Sequence, residues 1–272
     1  MSATTQQALS RIEAGIEAVR NSERFRAYLG FCARFHKYSF ANHLLIWSQR
    51  PDATMVAGFQ AWRRLKRHVR KGEKGILILA PVTGKRRVQD EANEDAPEFY
   101  LYFKAAYVFD VSQTDGESLP SLVTKLKGSD HTGRWQALEA IALEEAICID
   151  RQPRPGEAAN GFYVRSERRI WVSPELDPLH AAKTLAHELS HHFADHAAKG
   201  HSREEAEMVA ESSAYVVMAH LGCDSGDYSF GYLASWGDTA LFKQRLQDIH
   251  ATAQAVISRF EGRALSFPPP GR

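Results

Sequence analysis

Thr184-Leu-Ala-His-Glu-Leu-Ser-His-His-Phe-Ala-Asp-His196 contains an H-E-x-x-H pattern at His187, Glu188 and His191. On a helix, residues four apart share a face, so both imidazoles reach one ion. Glu188 falls beside them as a carboxylate outside the ligand set, where a general base is needed. Leu185, Ala186, Leu189 and Phe193 supply an apolar face for burial. The pattern predicts a Zn2+ site with His187 and His191 as ligands and Glu188 as the catalytic residue.

A catalytic zinc takes three protein ligands and keeps one open position. Ser202, with Glu205 three residues on, predicts a capped second helix to about Leu221. Glu207 and Glu211 lie one turn apart on it. Glu211 stands among Ala210, Ala214, Val217 and Met218, where a carboxylate is costly unless paired or metal-bound. Glu211 is therefore the expected third ligand, with His201 as the alternative. His192 points about 100° away from His191, and His196 lies a turn further on, so both fall outside the ligand set. Zinc would lower the pKa of a water at the site, and Glu188 would take its proton and pass it to a leaving amine. The strand expected at Arg169–Val172 is a candidate edge for an extended peptide substrate.

The 272 residues suffice for two modest domains, and 44% hydrophobic with 25% charged residues is ordinary for a globular protein. No apolar run is long enough to span a bilayer, and residues 1–20 carry no signal-peptide core. Cys32, Cys148 and Cys223 form no C-x-x-C pair and read as reduced thiols, which suits a cytoplasmic protein. The net charge of +1 conceals an asymmetry: residues 1–88 hold 17 Lys/Arg against 5 Asp/Glu. The excess predicts a polyanion-binding module ahead of an acidic one.

Helical periodicity covers residues 5–20 and 23–36, and Ser39 is placed to cap a third helix ending before Pro51. The span 56–75 then concentrates Arg63, Arg64, Lys66, Arg67, Arg70, Lys71 and Lys74 around Phe59 and Trp62. Cations neutralise phosphates, and aromatic faces stack on exposed bases, so single-stranded DNA is the expected partner. Asn42 and Gln49 join Trp62 and these cations as candidate DNA-binding residues. An apolar strand Ile76–Ala80 is expected to end at Pro81, an acidic loop to fill 89–98, and Phe99–Val111 to form one long strand or a pair. Further expectations are a helix at 134–147, strands at Gly161–Val164 and Arg169–Val172, a short helix at Tyr228–Trp236 and a final helix opened by Asp238. The fold class is α+β. A mixed helix and small-sheet domain covers 1–120, a linker 121–132, a mainly helical zincin-like domain with a small sheet 133–265, and a disordered tail 266–272.

Tyr38–Gln49, Pro51–Trp62, Val69-Arg-Lys-Gly-Glu-Lys-Gly-Ile76 and Val108-Phe-Asp-Val-Ser-Gln-Thr-Asp-Gly116 occur in the order found in ArdC-type antirestriction proteins, and the chain resembles that family. His187–His191, Met208-Val-Ala-Glu211 and Tyr232-Leu-Ala-Ser-Trp236 extend the likeness, and this half is also similar to ImmA/IrrE-type peptidases. The resemblance implies a single-stranded-DNA-binding domain joined to a zinc metallopeptidase-like domain that protects incoming plasmid or phage DNA. It also implies Glu211 as third ligand and a protein or peptide substrate. The competing reading is a non-catalytic DNA-binding protein with a structural zinc, since a peptidase-like fold need not cleave anything.

Overall fold

The computed structural model describes residues 3–20, 22–87, 97–119, 131–154, 156–223 and 238–264. Most of the acidic loop and of the expected linker, the helix expected at Tyr228–Trp236 and the tail lie outside them. Mixed helices and small sheets give the α+β class, arranged in two compact units. One is Met1–Ala18 with Tyr38–Leu119; the other is Val19–Lys37 with Pro120–Arg272. The first unit is discontinuous, because residues 19–37 group with the second.

In the first unit, helix α1 (Ala3–Ala18) buries Ala8, Ile12 and Ile16 against α3 (Phe40–Gln49). The Ser39 hydroxyl caps α3 through the Asn42 amide. Strand β1 (Val56–Gly58), helix α4 (Phe59–Arg64) and strand β2 (Arg67–Val69) follow. The long hairpin β3 (Ile76–Arg87) and β4 (Pro97–Asp110) then dominates the unit. The sheet order is β1-β4-β3, all antiparallel, and β5 (Thr114–Gly116) pairs with β2.

β3 is an outer strand, and its outward edge is closed by side chains. The Asn42 amide accepts from Leu79 N at 2.8 Å and donates to Leu79 O at 2.9 Å. Gln49 does the same for Leu77, at 3.0 Å each way. Seven residues apart on α3, the two amides replace a missing neighbour strand, since an unpaired strand edge is a liability. Both candidates for DNA contact are thus committed inside the fold. The outward direction of the 77 and 79 amides also explains why β3 does not stop at Pro81. Pro81 shares their alternation, so its missing N–H falls on the edge where no ladder bond is lost.

The Asp110–Gly116 motif is a brace. Asp110 Oδ2 accepts from Thr54 N (2.8 Å) and Met55 N (3.0 Å), while Oδ1 accepts from Ser112 N (2.9 Å). Burial would raise the Asp110 pKa, but these amides overcome it and hold the carboxyl below its ordinary value. Gln113 accepts from Asp110 N and donates to Lys74 O and Glu73, tying the basic turn 71–75 to the end of β4.

In the second unit, α2 (Ser22–Phe35) packs on α7 (Arg203–His220), and α5 (His131–Glu144) and α8 (Thr239–Ala264) complete the bundle around α6 (Pro178–Ala194). Leu138, Leu185, Leu189, Val209, Phe242 and Leu246 fill its core. Each such side chain contributes on the order of 1.5–3 kcal/mol of burial. The small sheet has the order β6 (Cys148–Asp150), β8 (Arg169–Val172), β7 (Gly161–Val164), parallel then antiparallel. β8 is therefore central and cannot accept a further strand; the outer strand beside α6 is β7.

Candidate metal centre

Asp177 caps α6 through the Leu179 and His180 amides, with Pro178 in the first turn, as its missing N–H permits. The helix thus formed puts His187 and His191 one turn apart with Nε2 atoms 3.0 Å from each other. Glu207 Oε2 lies 3.4 Å from His187 Nε2 and 3.6 Å from His191 Nε2. The three donor atoms sit within 4.8 Å of one another, as a divalent ion requires. Two tetrahedral ligands about 2.0 Å from zinc would be roughly 3.3 Å apart, so the donor set fits.

Glu211 is elsewhere. Its Oε2 is 3.0 Å from His187 Nδ1, the nitrogen on the far side of the ring from the cluster. The expected third ligand, Glu211, thus contacts the opposite ring nitrogen of His187, and the carboxylate that meets the Nε2 pair is Glu207. The alternative, His201, lies away from the His187–His191 pair. Its side chain is fully buried and bonded to His196 and Asp248.

His196 and His201 instead form a chain leading away from the cluster. His191 Nδ1 is 3.0 Å from His196 Nε2, His196 Nδ1 is 2.7 Å from His201 Nδ1, and His201 Nε2 is 3.0 Å from Asp248 Oδ2. Lys199 and Arg245 pair with Asp248 and fix its end. The sequence carried a signal for this, since His191, His196 and His201 recur every five residues. Four-residue helical spacing hides it, because α6 ends at Asp195 in a left-handed turn that folds His196 back. His192 turns the other way, to the Tyr163 hydroxyl at 2.9 Å and Glu145.

The electrostatics follow from these contacts. Burial lowers the His187 pKa, but Glu207 and Glu211 outweigh it and raise it to about 10. The same pairing with His187 and His191 holds the Glu207 carboxyl far below its ordinary range. Burial, then the neighbouring His191 and His201, pushes His196 down to about 4. Glu188 is buried, and desolvation raises its pKa against the pull of His187 and His191. Glu188 lines a cleft of about 550 Å³ together with Asn160, Gly161, Thr184, His187 and Glu211. A Cβ at Gly161 would lie 2.5 Å from Thr184 Cγ2 and 2.9 Å from Trp171 O, so glycine lets β7 approach α6.

The candidate DNA-binding residues separate into two groups. Trp62 is fully buried, its indole N–H donating to Phe109 O at 2.9 Å, so it offers no face to a base. Arg67 is tied to Thr114, Gly116 and Glu117, Arg70 to Glu73, Asp115 and Ser112, and Lys66 to Glu117. Arg63, Arg64, Lys71 and Lys74 are exposed and join no ion pair among the described residues. The charge excess of residues 1–88 does not survive folding as a domain property. A cut at residue 88 separates β3 from its partner β4. Counted over the first unit, 13 Lys/Arg face 12 Asp/Glu, so any attraction for phosphate is local.

Fold and site together define an α+β chain of two units, one of which carries a candidate His-His-Glu metal-binding cluster across two helices. Its likenesses are to ArdC proteins, in part of the chain by sequence and over most of it by fold. Residues 1–109 match the family model of the N-terminal domain of anti-restriction factor ArdC. The fold is that of the antirestriction ArdC protein from plasmid R388. Its metal-free structure matches with a TM-score of 0.52 at 21% identity, covering 85% of this chain and 87% of that one. Its Mn(II)-bound structure matches with a TM-score of 0.54 at 20% identity, covering 98% and 100%. An uncharacterized protein of Bacillus anthracis is 25% identical over 310 residues, 94% of this chain and 51% of that protein. The chain thus spans about half the length of that relative. Among the described residues no helix is long and apolar enough to cross a membrane.

Proposed function

We propose that the chain is a metal-dependent peptidase acting on proteins at single-stranded DNA, in the service of antirestriction. The observation that carries this is the convergence of His187, His191 and Glu207 on one point, with the buried Glu188 beside them in a cleft wall. The match of residues 1–109 to an anti-restriction factor and the R388 fold support the biological role. His187, His191 and Glu207 would hold the ion, and Zn2+ is the expected one, since imidazole and carboxylate donors bind it more tightly than Mn2+.

A bound ion would supply Lewis acidity toward a peptide carbonyl. Glu188 acts as general base, taking a proton from the water that adds to the carbonyl carbon; its burial raises its pKa toward the working range and disfavours the charge that this proton neutralises. The same carboxyl later returns the proton to the leaving amine. Strand β7, which borders the cleft at Gly161, offers its outer backbone edge to an extended peptide. Arg63, Arg64, Lys71 and Lys74 supply phosphate contacts in the other unit.

The test is Glu188→Gln with Zn2+ or Mn2+ loaded, assayed on a peptide library by mass spectrometry with and without oligo(dT). Metal content should be unchanged and cleavage should fall by about 10²–10⁴-fold. Equal cleavage by the variant, or none by the unmodified protein under every condition, overturns the peptidase.

A further inference from the structure

An antirestriction protein that binds single strands needs faces for bases as well as charges for phosphates, and the charges alone are few. The solvent face of an antiparallel sheet is ordinarily polar. On β4 it is not. Leu101, Phe103 and Tyr107 are exposed on one face, Phe103 at 61% and Tyr107 at 55%, while the exposed Tyr100 and Tyr102 alternate with them onto the other. A row of large exposed apolar side chains on one strand marks an interaction surface.

Alternation along β4 puts Leu101, Phe103, Ala105, Tyr107 and Phe109 on one face, in steps of roughly 6.8 Å. Phe59, exposed at 47%, meets Phe109 edge-on with ring centroids 6.5 Å apart and extends the row onto α4. Gly75 lies under the Tyr107 ring, where a Cβ would come within 2.9 Å of Tyr107 Cβ. The near end of the row is therefore bordered by cations. Lys74 precedes Gly75, and Arg63 and Arg64 close the short helix that Phe59 opens. Flat aromatic rings spaced along a strand, with unpaired cations at one end, suit stacked bases followed by a phosphate backbone. A protein partner would be served by the apolar row but not by these cations.

We infer that the Phe59–Tyr107–Phe103–Leu101 face of the β3–β4 hairpin is the base-stacking platform for single-stranded nucleic acid, with Arg63, Arg64 and Lys74 as its phosphate clamps. This rests on the DNA-binding part of the proposed function and moves the bases from Trp62 to the outer sheet face. No stretch pattern in the sequence marks it, because strand alternation alone does not say which face is covered.

The experiment measures anisotropy of a fluorescein-labelled dT20 with the full chain across a salt series, against a duplex of the same length. Phe103→Ala and Tyr107→Ala should each weaken dT20 binding about 10-fold or more at an unchanged salt slope. Tyr107→Phe, which keeps the ring, should bind as the unmodified protein does. Arg63→Ala with Arg64→Ala should reduce the salt slope by about 1.4, because each lost phosphate contact removes about 0.7 on a single strand. If the unmodified protein binds dT20 and folded Phe103→Ala and Tyr107→Ala variants bind it equally well, the platform is wrong while DNA binding stands. If those variants instead shift a dimer to monomer at unchanged DNA affinity, the face is a self-association surface and the platform is likewise wrong. Failure of the unmodified protein to bind dT20 at low salt removes the DNA reading itself, and the platform with it.

Discussion

Glu211 Oε2 lies 3.0 Å from Nδ1 of His187, on the ring edge that faces away from His191 and Glu207. His187 is thereby gripped on both nitrogens by carboxylates one turn apart on α7. A hydrogen bond at Nδ1 fixes the tautomer that leaves the Nε2 lone pair toward an ion, and it raises the basicity of that nitrogen. His191 Nδ1 is likewise contacted, at 3.0 Å, by His196 Nε2.

The two glutamates should therefore separate in metal binding. Glu207→Ala removes a donor atom and should lower Zn2+ affinity by more than about 100-fold. Glu211→Ala removes only the orienting bond and should cost about 10–100-fold. Isothermal titration against a competing chelator measures both. The reverse order would return Glu211 to the ligand position.

Metal loading should release protons. With His187 held at about 10 by its carboxylates, the metal-free site carries a proton at neutral pH that an ion must displace. Apparent affinity should rise with pH up to about 10 and fall below it. Calorimetry at pH 7.5 in buffers of different ionisation enthalpy should report close to one proton released per ion, and no buffer dependence would contradict the pairing.

Asp110 should make the first unit sensitive to acid. Its folded pKa lies below the unfolded value, so the unfolded chain binds more protons as pH falls through about 4. The stabilisation is present above that value and is lost below it. Asp110→Asn should cost about 1–3 kcal/mol in urea at pH 7 and flatten the acid limb of the stability curve. An unchanged limb would show that other carboxylates govern it.

The amides that close the β3 edge should be structural. Asn42→Ala and Gln49→Ala each strand a partly buried N–H and C=O of Leu79 or Leu77, at about 1–3 kcal/mol. Thermal melts should fall while dT20 affinity of the folded fraction stays unchanged. A loss of DNA affinity without loss of stability would restore them as contact residues.

The sequence by itself determined the elements whose cause is local. Helical spacing placed His187 and His191 on one face, Ser202 with Glu205 and Asp177 with Pro178 set the starts of the two site helices, and Ser39 capped the third. Each depends only on backbone geometry within one or two turns. What the tertiary structure decided depends on how two elements meet. The level at which α7 crosses α6 selects Glu207 for the Nε2 pair and leaves Glu211 behind His187. A left-handed turn at Asp195 folds His196 and His201 into a chain that no single helix could hold. The packing of α3 against the β3 edge turns Asn42 and Gln49 inward, and the packing of α4 on β4 buries Trp62 while leaving Phe59 and Tyr107 outside. Residue type and spacing are fixed along the chain, but the direction a polar or aromatic side chain faces is set by its neighbours across the fold.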